Sequence, residues 1–400
     1  MLLVAKERMV FDMENESVAA KGICERIGMN DGIFSHKTFD GREKNLTTDM
    51  EDHTQAFQLV KDALIDDEVG VIQSLNEVAA IGHRVVQGGS IFSKSVLITD
   101  DVLKGIESLN PLAPLHNPAH VQGIRACQDV FGTEVPQVAV FDTAFHSTMP
   151  PKSYTFAIPY EYYEKYAVRR YGFHGTSHKY VSHRCAEIMG KPIDKLKLIT
   201  CHLGNGSSIT AVQDGHVLDT TMGLTPLDGF MMGTRSGTLD PSVVTFIMEK
   251  ENLTPKEMDN ILNKKSGLLG VSGVSSDARD VAQAVVEGNP RAVLAQEMLV
   301  YQIVKYIGAF AAAMNGVDSI VFTAGLGENH VIVRQRVCES LKYLGVTPDI
   351  NLNEKMTRGN EGKITTENST VDVYVIPTNE ELVIARDTRS ILEAMQYANL

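Results

Sequence analysis

Apolar residues recur along this chain in two patterns. Short continuous runs bounded by Gly, Pro or Asp mark buried strands: VAVFD (138–142), KLITCHL (197–203), SIVFTAG (319–325) and VDVYVIP (371–377). Between them the apolar spacing lengthens to three or four, which predicts helices. One is expected over 178–189, stopped by Gly190 and Pro192. Another is expected over 291–314, with Val293, Leu294, Met298, Tyr301, Ile303, Ile307 and Phe310 on its buried side. Asp240-Pro241 reads as the N-cap and first residue of a helix through SVVTFIMEK. Strands alternating with helices predict an α/β protein. No flexible linker, low-complexity tract or short repeat divides it; the predicted break is at 145–155, where a strand runs into Pro150-Pro151.

The length, 400 residues, is about two domains' worth. With 37 Lys+Arg against 50 Asp+Glu the net charge is −13, and 43% hydrophobic residues is an ordinary globular share. That acidity argues against a nucleic acid or an anionic membrane as main partner, but not against a small anion held by local groups. Cys24, Cys127, Cys185, Cys201 and Cys338 show no C-x-x-C spacing, so they read as reduced thiols rather than a zinc or disulfide framework. The apolar start is too short for a secretion signal, and IGAFAAAM (307–314) is far below the ~20 residues of a membrane helix. The expected location is the cytoplasm.

Glycine-rich turns are the first chemical signal. Strand 197–203 enters Gly204-Asn205-Gly206-Ser207-Ser208, where glycines at positive φ and two hydroxyls are expected to face an oxyanion; a plain hairpin turn is the alternative. Strand 319–323 enters Gly325-Leu326-Gly327-Glu328-Asn329 and then a helix, the arrangement of an anion or nucleotide site. The third glycine of a dinucleotide fingerprint is absent, as is a Gly-Lys-Ser/Thr phosphate loop. A third turn, KKSGLLGVSGVSSDARD, carries Asp277 and Arg279, which otherwise read as a surface cap of the next helix. Arg84 and Arg235 sit beside glycines, as forks for carboxylate or phosphate or as loop braces. Asp142 ends a strand, where ligands of α/β proteins bind. His174 and His178 are four apart, but without the H-E-x-x-H pattern a metal pair is the lesser reading, and His116 reads as a loop-stabilising residue. Together these groups suit phosphoryl transfer, which relies on positioning and charge neutralisation.

The motifs GHRVVQGG, LAPLHNP, VFDTAFH, YGFHGTSHKY, CHLGNGSSITAV, MGTRSGTLDP, KKSGLLGVSG, FTAGLGENH and IPTNEELVIARDT occur in order over nearly the whole chain. In this the sequence resembles the acetokinase family, of the sugar kinase, heat-shock ATPase and actin superfamily. The resemblance implies two similarly folded α/β domains of the actin-like ATPase type with an interdomain cleft. The first would comprise 1–148 plus 378–400 and take the acyl substrate; the second, 149–377, would take the nucleotide. It implies magnesium-dependent transfer (manganese as substitute) from ATP to acetate, giving acetyl phosphate and ADP, by a homodimer. Asp142 would lie at the catalytic centre or in the metal shell with Glu380. Arg84 and Arg235 would bind acetate and the moving phosphoryl, and His174 would stabilise the transition state. Val86, Leu115, His116, Phe173 and Pro226 would line the acyl pocket. His202, Leu203, Gly204, Asn205, Gly206, Asp277, Ala278, Arg279, Gly325, Leu326, Gly327, Glu328 and Asn329 would hold the nucleotide. A carboxylate is ionised at neutral pH, so for Asp142 orientation and electrostatics fit better than proton abstraction.

The sequence departs from the family at its start. Acetokinases open with a strand and an Asn-x-Gly-Ser-Ser-Ser-x-Lys turn; here MLLVAKERMVFDM allows a hairpin around Lys6-Glu7 without that turn. Three readings follow: a start of the reading frame that misses the turn, a nucleotide-binding protein impaired in transfer, or a compensated kinase. Gln87 stands where the family commonly has His, and Ala278 where a bulkier residue is common. Propionate is the alternative acyl substrate.

Overall fold

The computed structural model describes residues 1–4, 9–114 and 116–398. Two compact units emerge: Met1–Ala144 with Asn379–Leu400, and Phe145–Thr378.

The first unit holds β1 (Leu2–Val4), β2 (Met9–Asp12), β3 (Ser17–Glu25), β4 (Ile33–Thr38), β5 (Glu43–Thr47), β6 (Ala80–Val85), β7 (Val96–Leu97) and β8 (Gln137–Phe141) in one sheet, ordered β5-β4-β3-β2-β1-β6-β8-β7. Leu3 of β1 faces Val10 of antiparallel β2 and Ile81 of parallel β6. Both strands of the expected N-terminal hairpin are therefore present, while its Lys6-Glu7 turn lies outside the described residues. Side chains alternate across β6. Ile81 joins Leu3, Phe57, Val60 and Cys127 in a core with the helices His53–Leu64 and Asn117–Phe131. Gly82, on the opposite face, lies under the C-terminal helix Glu380–Ala398. A Cβ there would come within 2.6 Å of Ile384 Cγ2 and Thr388 Oγ1. A bare Cα thus lets that helix lie against β6, which sets Glu380 and Glu381 in the electrostatic field of Arg84.

The second unit repeats the plan. Strands β9 (Lys197–Leu203), β10 (Ser207–Gln213), β11 (His216–Thr220), β12 (Ser319–Thr323), β13 (Gly362–Lys363) and β14 (Asp372–Val375) are ordered β11-β10-β9-β12-β14-β13. In each unit an antiparallel meander (β1-β2-β3, β9-β10-β11) leads into two strands parallel to its first. One face of this sheet packs on the helix Pro290–Ala313, the other on the helix Gly175–Met189.

The long helix buries Ile303, Ile307 and Phe310 as expected, but not all of its large residues. Leu294 and Tyr301 are 49% and 68% exposed, whereas Ala292, Ala295, Leu299, Ile303, Ile307 and Phe310 are buried. Small alanines thus take buried positions in its first turns. Asp240 caps its helix by accepting from Ser242 N–H. The second glycine turn is not a loop but a short helix, Ala324–Asn329, followed at once by Val331–Ser340.

Candidate active site

In the first unit, β6 and β8 run side by side, so Arg84 and Asp142 emerge at neighbouring strand ends. Asp142 N–H donates to Val85 O at 3.0 Å. Arg84 Nε donates to Asp142 Oδ1 at 2.8 Å, and Nη2 donates to Oδ2, a two-point fork. Asp142 is only 1% exposed. Burial opposes charge on Arg84, but Asp142, Glu380 and Glu381 outweigh it and raise its pKa. Arg84 Nη1 makes no hydrogen bond among the described residues, so a second acceptor can join the pair.

Val86 is buried beside this pair. Gln87 N–H donates to Asn117 Oδ1 at 3.2 Å, and Asn117 Nδ2 donates to Gln87 O at 3.0 Å. These bonds pin the start of the helix Asn117–Phe131, with His116 at its N-cap position, to the loop after β6. Gln87 Oε1 accepts from Gly89 N–H at 2.9 Å. Leu115 lies outside the described residues. Glu380 opens the C-terminal helix and is half-buried; with Asp142 it supplies hard oxygen donors of the kind Mg²⁺ prefers.

In the second unit the segment before His174 is fixed by Gly172, at φ +77°. A Cβ there would stand 2.6 Å from Thr220 Cγ2 and 2.7 Å from His146 Cγ, so only glycine fits. His174 Nδ1 lies 2.8 Å from Ser208 Oγ, which lies 2.7 Å from His178 Nε2; His178 Nδ1 lies 2.7 Å from Thr200 Oγ1. The His174 ring stacks on His202 at 4.1 Å, and His202 Nδ1 is 2.7 Å from Ser177 Oγ. Burial, then the neighbours His146 and His202, push the His178 pKa well below its ordinary value, so this ring is neutral. Both His178 nitrogens and His174 Nδ1 are engaged with hydroxyls, and no metal-holding cluster of three His, Cys, Asp or Glu exists among the described residues. The His174–His178 pair is thus a hydrogen-bonded support for the outer ring.

Ser208→Ala removes the hydroxyl both rings share, and unsatisfied buried groups cost about 1–3 kcal/mol each. A lower thermal midpoint is expected, with turnover down about tenfold and KM within about twofold. Melting curves and steady-state kinetics check both.

The loop Gly204-Asn205-Gly206 joins β9 to β10, yet neither glycine has positive φ. Their role is space: a Cβ on Gly206 would stand 3.3 Å from Arg235 Nη1 and 3.6 Å from His174 Nε2. The two hydroxyls do not face outward as expected. Ser207 Oγ donates to Gly204 O at 2.9 Å and accepts its N–H at 3.1 Å, and Ser208 lies beneath His174. Turn closure and ring support claim both.

All three glycine turns converge here. Gly233 N–H donates to Asn205 O at 3.1 Å, and a Cβ on Gly233 would lie 2.9 Å from Ser276 O, so the third turn abuts the first. A Cβ on Gly204 would lie 3.8 Å from Ala324 Cβ, so the second turn does too. The positive φ of that second turn belongs to Ala324, at +64°, not to Gly325 or Gly327. Gly325 and Asn329 are exposed, Leu326 and Glu328 half-buried, and burial raises the Glu328 pKa. Asp277 caps the helix Ala278–Val286 and forks to Arg279, whose hydrogen bonds hold its pKa at about 2; the Arg279 side chain is itself 88% exposed.

Arg235 differs from Arg84. Its Nη1 donates to Pro226 O at 3.2 Å and approaches Met232 Sδ at 3.7 Å, and no carboxylate pairs with it among the described residues. Burial lowers its pKa. Phe173, next to His174, is buried, and Pro226 is half-buried. Sequence reasoning assigned no role to Ser177 or Thr200, and expected the Ser208 hydroxyl at an oxyanion rather than under the histidines. Their signal was weak: small hydroxyl residues at alternate strand positions or one helix turn from His174.

The sequence model of the Acetokinase family matches residues 5–386. An acetate kinase of Halothermothrix orenii is 55% identical over 385 residues, 96% of each chain. The crystal structure of Porphyromonas gingivalis acetate kinase matches with a TM-score of 0.92 at 46% identity, covering 98% of this chain and 99% of that one. A propionate kinase from Francisella tularensis matches with a TM-score of 0.90 at 41% identity, with the same coverage. The two α/β units are accordingly of the actin-like ATPase type. Motif order, the repeated sheet plan and these near full-length likenesses agree: the chain belongs to the acetokinase family.

Proposed function

We propose that this protein catalyses reversible phosphoryl transfer from ATP to acetate, giving acetyl phosphate and ADP. The observation that carries the reading is the convergence of three glycine turns with His174 and the carboxylate-free Arg235. An acetate oxygen attacks the γ-phosphorus as the bond to the ADP oxygen breaks. The nucleophile is already ionised, so the need is to offset repulsion between anions. Arg84 receives the carboxylate while Asp142 holds the guanidinium in plane; no proton acceptor is required. The acyl methyl is assigned to Val86, Phe173 and Pro226, and the flanking polar position to His116. His174 and Arg235 face charge building on the phosphoryl oxygens. His202, Leu203, Gly204, Asn205 and Gly206 take the phosphates. Asp277, Ala278, Arg279 and the turn 325–329 take the rest of the nucleotide. Asp142 and Glu380 would hold Mg²⁺ (or Mn²⁺), which when bound neutralises phosphate charge.

Residence in the cytoplasm is part of the proposal; no helix among the described residues is long and apolar enough to cross a membrane. So is a homodimer. The helix Pro241–Glu251 has no buried residue and leaves Phe246 60% exposed, an apolar surface that a second copy would cover.

Purified protein given ATP, acetate and Mg²⁺ is expected to form acetyl hydroxamate in the presence of hydroxylamine. Propionate should give a kcat/KM lower by about tenfold or more, since one methylene is worth ~1–3 kcal/mol in a fitted pocket. ATP binding without hydroxamate would overturn the reading.

A further inference from the structure

The largest fully buried side chain is a cation, Arg334, on the helix Val331–Ser340. A guanidinium has five N–H donors, and here each has an acceptor. Nε donates to Asn353 Oδ1 at 2.8 Å. Nη1 donates to Gly327 O at 3.0 Å and Glu328 O at 2.7 Å. Nη2 donates to Asn353 O at 2.7 Å and Met356 O at 2.9 Å. Asn353, 1% exposed, donates in return to Val331 O at 3.0 Å.

Two aspects set this apart from an ordinary brace. Two of the five acceptors are backbone carbonyls of the second glycine turn, so one side chain ties that turn to the helices Val331–Ser340 and Ile350–Lys355. Every acceptor is also a neutral oxygen. No carboxylate pairs with Arg334 among the described residues, although Glu328 lies in its field. A buried charge is costly unless paired, and its field is weakly screened. Burial lowers its pKa only to about 10, so it stays protonated at neutral pH.

We infer that Arg334 is a positioning residue for the nucleotide: it fixes the Gly327 and Glu328 end of the turn and supplies, from inside the fold, positive charge that a bound polyphosphate balances. This rests on the reading that 325–329 holds the nucleotide. A purely structural role would affect all ligands alike; this one favours the nucleotide.

Calorimetric ADP binding and the KM for acetate, measured on the full chain, test it. Arg334→Lys keeps the charge but cannot reach five acceptors; ADP affinity should fall about tenfold while the acetate KM stays within about twofold. Asn353→Asp keeps the guanidinium but sets a carboxylate against Nε, and a similar fall in ADP affinity is expected. Unchanged ADP affinity in either folded variant overturns the inference, as does equal weakening of ADP and acetate. If Arg334→Lys does not fold, Asn353→Asp decides alone. Wild-type protein that binds ADP but makes no acetyl phosphate would sink the acetate reaction, while the ADP comparison would still judge Arg334.

Discussion

Arg84→Ala is expected to abolish most transfer and destabilise the chain in one step. Asp142 is 1% exposed and accepts both bonds of the Arg84 fork, so removing the guanidinium takes the forked counter-charge from a buried carboxylate. Breaking such a pair from one side costs about 3–5 kcal/mol. In the proposed reaction Arg84 is the group that would meet the acetate carboxylate, and a fall in kcat/KM of about a thousandfold is expected. Lysine should restore part of the thermal midpoint and little of the rate, because a point charge cannot span two carboxylate oxygens. The double variant Arg84→Ala/Asp142→Asn separates the effects: stability should partly return, activity should not. Melting curves and the hydroxamate assay read both. A near wild-type kcat/KM in Arg84→Ala would remove this residue from the site.

Arg235→Ala should show the opposite signature. Its guanidinium is held by a carbonyl and a thioether, and burial disfavours its charge. Removing it breaks no ion pair, so the thermal midpoint should stay level or rise slightly. The rate should still fall about a hundredfold to a thousandfold if, as proposed, this cation faces charge that grows during transfer. A drop in the midpoint as large as that of Arg84→Ala would mean that Arg235 is a brace. An unchanged kcat would mean that it does not see the transition state.

The central strands were legible because β9 and β12 are buried on both faces and so read as continuous apolar runs. Residues 17–47 offered no such signal: β3, β4 and β5 form a meander with many exposed positions, and GICE or EKNLT has little apolar content. The glycine turns were legible as places but not as mechanisms. In the first, glycine provides room beside Arg235; in the second, the unusual backbone angle falls on Ala324, which nothing in its side chain announces. Arg334 in VIVRQRVCES reads as one more charge on an outer helix face. Its burial depends on the distant residues Asn353 and Met356, which no local pattern links to it.

Gly82 under the C-terminal helix has a consequence for how the protein is made. A ribosome releases residues in order, and the first unit lacks one of its layers until the helix Glu380–Ala398 emerges. Residues 145–378, contiguous in sequence, are all available earlier. During synthesis the second unit can therefore mature first, while Arg84 and its strand wait, incompletely covered, for the helix Glu380–Ala398. A chain interrupted before Glu380 would leave that strand uncovered for good.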